Sequence, residues 1–197
     1  VEILAERHAA GRLAREGRIR LVTWLRELNR HAEALPILEA LVAERGELRY
    51  RLWLVESAHH AGRQPLAAKT LQATIGWLKE GKRWREGEIA QVARTCLATA
   101  RLEQAGDLFE EAINLHTRSR GGRGVGGSTL ARCYRELSQV RSQLGDTVGA
   151  VDAAAGAVVS WSRSQRRRRQ ALSQLSAVLR NAKDLDGYVR HLDAEVS

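Results

Sequence analysis

The sequence predicts an all-α chain of repeated antiparallel helix pairs, on three observations. Leu, Ala, Arg and Glu, which favour helix, dominate its 197 residues, against only 2 prolines. No alternating run rich in Val, Ile and Thr reaches strand length, so a sheet has no candidate strands. One spacing of small and apolar residues recurs along the chain, as expected of a solenoid. With 44% hydrophobic residues the chain can bury a core.

The recurring unit is a small or turn residue, a small apolar residue five positions on, and further apolar positions four and seven beyond it. Asn29 leads to Ala34, Leu38 and Leu41; Gly62 to Ala67, Leu71 and Thr74; Ala100 to Ala105, Phe109 and Ala112; Gly145 to Ala150, Ala154 and Ala157. A fifth, poorer copy runs from Lys183 through Tyr188 and Leu192. The small residue recurs at intervals of 33, 38 and 45, a unit near 34 residues with insertions between copies. Before each copy lies another helical pattern: Arg20 to Leu28, Leu48 to Ala61, Glu88 to Arg101, Leu130 to Leu144 and Gln170 to Ala182. The order is therefore helix A, turn, helix B, with small residues on B letting A approach closely.

The opening segment, "VEILAERHAAGRLAREG", is amphipathic and stands where a preceding helix B would lie. Residues 1–17 are thus expected to be a helix of a truncated preceding repeat, and 18–197 the array. Starting at Val1 without any Met, the chain is expected to be a piece of a longer protein.

These units resemble the tetratricopeptide repeat (TPR) family over nearly the whole chain, best in "AGRQPLAAKTLQATI", "LEQAGDLFEEAI" and "LGDTVGAVDAAAGAV". Ala105, Phe109 and Ala112 give the fullest helix B signature. The family's closing Pro is absent, and the Trp, Gly and Tyr of its helix A are mostly replaced. The resemblance implies a right-handed α-solenoid of about five antiparallel helix pairs, TPR-like, with helix A lining a binding groove. Carrying over the repeat phase puts Arg20, Thr23, Arg49, Glu56, His59, Arg94, Arg132, Arg135, Gln139 and Arg180 at that groove. So basic a lining suits an acidic peptide or protein segment. The family's carboxylate clamp, Lys then Asn four residues later, is not seen: the pairs here are Leu52 and Glu56, Ala90 and Arg94, Arg135 and Gln139.

The net charge of +9 attracts anionic partners. In a helix-pair array the B-to-A connections share one edge. "HTRSRGGRGVGGS", with Arg118, Arg120 and Arg123, therefore neighbours "WSRSQRRRRQ", with Arg163, Arg166, Arg167, Arg168 and Arg169. Trp77, Trp84 and Trp161 flank such connections. This basic edge, able to hold phosphates with aromatics nearby, makes a nucleic-acid-contacting solenoid the alternative reading.

Catalysis finds no constellation. Gly122, Gly124 and Gly127 fit GxGxxG, but a helix rather than a strand precedes them, and Gly127 stands where a P-loop needs Lys. His59 and His60 are adjacent and point to different helix faces, unlike a metal-binding i, i+4 pair. Cys96 and Cys133 lack a CxxC or a nearby His cluster and read as buried thiols. No metal or cofactor is expected. No apolar stretch approaches the ~20 residues of a membrane span, and a cytoplasmic location is expected. The sequence thus reads as a non-enzymatic protein-interaction scaffold, part of a larger protein, or else as the regulatory domain of a larger enzyme.

Overall fold

A computed structural model describes residues 13–81, 84–119, 128–160 and 165–181. Among them every regular element is a helix: α1 Arg15–Glu27, α2 His31–Arg45, α3 Leu48–His60, α4 Gln64–Glu80, α5 Glu86–Ala98, α6 Leu102–Ser119, α7 Ser128–Gln143, α8 Thr147–Ser160 and α9 Gln165–Asn181. The chain divides into two compact units, Val1–Arg83 and Trp84–Ser197. Within each, consecutive helices pack against one another, α1 to α4 in unit 1 and α5 to α9 in unit 2, with α5 also touching α7.

Four turns from helix A to helix B have one geometry. Asn29, Gly62, Ala100 and Gly145, the turn residues of the repeated spacing, all take positive φ, at 56°, 73°, 56° and 81°. In each, the following amide reaches back to the carbonyl five residues earlier: Arg30 to Leu25 at 2.8 Å, Arg63 to Ala58 at 2.7 Å, Arg101 to Cys96 at 2.8 Å and Asp146 to Arg141 at 2.9 Å. This Schellman pattern satisfies carbonyls that helix A would otherwise leave unpaired. Glycine suits the left-handed conformation; Ala100 adopts it against its Cβ.

The small residues of the repeat are buried as the spacing requires. Ala34 and Ala67 are fully covered in unit 1, as are Leu38, Leu41 and Leu71; Ala105, Ala112, Ala150, Ala154 and Ala157 are covered in unit 2, as is Phe109. Unit 2 packs so tightly that a Cβ on Gly156 would lie 2.7 Å from the Tyr134 ring. The hydroxyl of Ser138 on α7 donates to the carbonyl of Ala150 on α8 at 2.8 Å, a buried bond crossing the same pair. Pro36 sits inside α2 but on its exposed face, where its ring disturbs no packing.

Helix starts differ from the sequence reading. The A helices α1, α5, α7 and α9 begin at Arg15, Glu86, Ser128 and Gln165, ahead of the expected Arg20, Glu88, Leu130 and Gln170. The residues ahead of the expected starts are mostly polar and carry little apolar beat, and several of them, Arg, Glu and Gln, have good helix propensity. Thus α1 starts inside the segment expected to belong to a preceding repeat. Residues 1–12 and the fifth copy from Lys183 to Leu192 lie outside the described residues.

Candidate functional site

In unit 2, α5, α7 and α9 share a face with a depression of about 620 Å³, lined by Arg94, Arg132, Arg135, Glu136, Gln170, Ala171 and Gln174. Three of the groove residues read from the sequence, Arg94, Arg132 and Arg135, meet here. Glu136 is the counter-charge: it takes the Nε of Arg94 at 2.9 Å and lies 3.8 Å from Arg135. Only 13% of the Glu136 side chain is exposed against 34% of Arg94, so the pair is shielded better than a surface bridge. Among the described residues no carboxylate pairs with Arg132, which is exposed. Gln174 donates to the Arg135 carbonyl at 3.2 Å, tying α9 to α7. The lining holds three arginines against one glutamate.

The other expected groove residues of this unit stand apart. Gln139 is exposed on α7 beyond the depression. Arg180 turns its Nε back to the Ser176 carbonyl at 3.2 Å. It lies six residues past Gln174, roughly 240° round the helix, and so on another face.

Unit 1 carries a different cluster on α1 and α3. Arg26 pairs with Glu56, linking the two A helices as Arg94 and Glu136 do in unit 2. The Arg26 and Arg49 guanidiniums lie 4.6 and 4.1 Å from the centre of the Trp53 indole. Burial pushes the pKa of Arg26 down; Glu56 opposes this and Arg49 adds to it. His59 Nδ1 lies 3.3 Å from the Gln64 amide oxygen, and the His59 and His60 rings meet edge to face at 5.3 Å. His60 stacks on His31 at 4.7 Å. Arg20 is exposed on α1. No group of three or more His, Cys, Asp or Glu among the described residues has metal-binding geometry.

The basic edge is placed in part. Arg118 lies in the last turn of α6 and shares a depression with Asp107, Glu110 and Glu111, so acids that its loop sequence did not show surround it. Arg166, Arg167, Arg168 and Arg169 fall inside the first turns of α9 rather than on a connection, and Arg166, Arg168 and Arg169 are exposed. Helix propensity there outweighs the unfavourable meeting of positive charge with the helix N-terminus. Arg120, Arg123, Arg163 and Trp161 lie outside the described residues. Trp84 donates to Glu111 at 2.5 Å, and the Arg51 guanidinium covers Trp77 at 4.7 Å.

Cys96 and Cys133 are buried, and burial raises their thiol pKa to about 12 and about 11, which leaves no reactive thiolate near neutral pH. No described helix is long and apolar enough to cross a membrane. Sequence reasoning missed Arg26, Trp53, Glu136, Gln170 and Gln174. The i, i+4 spacing of Arg49 and Trp53 was one signal, and the repeat phase another, placing Trp53 and Glu136 at one shared position, fourteen residues before Ala67 and Ala150.

No family model matches the chain, and no curated protein matches it. Solved structures do. TPR-like repeats of a Podosopora anserina protein described as a kinesin light chain superpose with a TM-score of 0.64 at 16% identity, covering 92% of this chain and 96% of that one. A point variant of that protein gives 0.65 at 15%, covering 91% of each chain. BtubC (BKLC) from P. vanneervenii gives 0.55 at 17%, covering 94% of this chain and 69% of that one. The fold is therefore that of a TPR-like helical-repeat solenoid.

Proposed function

We propose that this chain is a non-enzymatic protein-interaction module whose unit 2 binds an acidic segment of a partner protein along the shared face of α5, α7 and α9. Helical-repeat folds of this kind are generally interaction scaffolds, but fold alone names no partner. The observation that carries the reading is the charge imbalance of the depression: Glu136 is committed to Arg94, leaving Arg132 and most of Arg135 for an incoming anion. Arginine forks suit carboxylates geometrically, and the glutamine amides of Gln170 and Gln174 can serve a peptide backbone.

The test is fluorescence anisotropy with a fluorescein-labelled hexaglutamate peptide at low and physiological salt, with single-stranded RNA as the competing probe. Replacing Arg132 and Arg135 together by Glu should weaken peptide binding about tenfold or more, since each charge-assisted bond contributes roughly 1.5–3 kcal/mol. Salt should weaken binding by the native chain. RNA binding without peptide binding, or a double variant that binds the peptide as well as the native chain, overturns the reading.

A further inference from the structure

Trp53 holds two guanidinium groups, and only one of them has a counter-ion. Arg26 is paired with Glu56, whereas among the described residues no carboxylate pairs with Arg49, which is exposed. Arg49 also lies 5.8 Å from the Tyr50 ring, so its cationic group rests on aromatic surface along α3. A guanidinium stacked on a ring keeps its in-plane N–H donors free, already aligned for a planar carboxylate. Holding two like charges on one indole is unfavourable, and an arriving anion relieves it.

A second observation comes from the repeat register. Arg49 lies eighteen residues before Ala67, and Arg132 lies eighteen before Ala150. The same position of helix A thus carries an exposed arginine without a carboxylate partner in both units. Unit 2 surrounds it with a basic depression; unit 1 pins it to an indole.

We infer that the Arg49–Trp53 stack is a second carboxylate-recognition site, in unit 1, for an acidic side chain of a partner segment. The inference rests on the acidic-partner reading of the previous section but places an independent site outside unit 2. Arg49 supplies the fork and Trp53 supports it, while the second guanidinium on the indole, that of Arg26, is already neutralised by Glu56.

Labelled hexaglutamate titrated into the full chain separates the two sites. A chain with Arg132→Ala and Arg135→Ala should retain measurable binding, and adding Arg49→Ala should weaken that remainder about tenfold. Arg49→Lys keeps the charge but loses the planar fork, and should weaken it roughly two- to fivefold. Arg49 is exposed, so circular dichroism should report unchanged helicity for both variants. If Arg49→Ala and Arg49→Lys, made singly in the native chain, bind like it while the unit 2 changes abolish binding, the inference fails and the unit 2 reading stands. If the Arg49 changes weaken binding and the unit 2 changes have no effect, the unit 2 reading fails and this site stands.

Discussion

The two units place an exposed arginine at one equivalent point of helix A, Arg49 and Arg132, and set it in different surroundings. Fourteen residues before the small helix B residue, unit 1 has Trp53 and unit 2 has Glu136. Each unit neutralises one guanidinium with a carboxylate, Arg26 with Glu56 and Arg94 with Glu136, and unit 1 also rests Arg26 and Arg49 on the Trp53 indole. A carboxylate balances charge and is screened by salt; an indole orients the guanidinium without cancelling it.

The units also differ in how they fill their cores, and the largest expected effect probes that difference. Unit 2 encloses Phe109, while unit 1 relies on Leu38, Leu41 and Leu71. Phe109→Ala should destabilise unit 2 by about 3–5 kcal/mol. Both cysteines lie in unit 2, so thiol labelling at pH 8 reads its opening alone. The native chain should label slowly, because burial keeps both thiols protonated, and the variant should label far faster. Equal labelling of the two would break the contrast between the cores.

A smaller effect comes from the shared turn. Gly62 in unit 1 has φ of 73°, and Ala100 in unit 2 has φ of 56°. Gly62→Ala should cost about 1 kcal/mol and Ala100→Gly should add up to about 1 kcal/mol, as the left-handed conformation penalises a Cβ. Urea midpoints moving in opposite directions would support the single turn geometry; shifts of the same sign would break it.

The smallest effect separates the units by pH. His31 in unit 1 has its pKa lowered by burial, then by the stacked His60 and by Arg26. Its native form therefore resists protonation that the unfolded chain accepts. This contribution is fully present above about pH 6.5 and is lost as pH falls from there through the lower native value. Thermal melts between pH 5 and 8 should show a steeper acid loss for the native chain than for His31→Gln. Parallel curves would remove His31 as a cause.

What the sequence made legible follows from which interactions are local. The turn residues Asn29, Gly62, Ala100 and Gly145 and the buried alanines after them have a fixed spacing, so the helix pairs could be placed without a structure. Helix starts such as Gln165 were less legible, because a first turn exposed to solvent needs no apolar residue. In the site, Arg94, Arg132 and Arg135 followed from the phase. Their counter-charge did not: Arg94 and Glu136 are 42 residues apart, across an insertion that blurs the register. Trp53 went unremarked: its i, i+4 spacing from Arg49 is local, but Arg26, the other guanidinium on it, lies on another helix.

The most direct test of the central claim is chemical-shift mapping on the isotope-labelled full chain as hexaglutamate is added. The account predicts that the perturbed groups cluster at Arg94, Arg132, Arg135, Gln170 and Gln174, with a second set at Arg49 and Trp53. Perturbations confined to α6 and α8, or to Arg166, Arg168 and Arg169 alone, would contradict it.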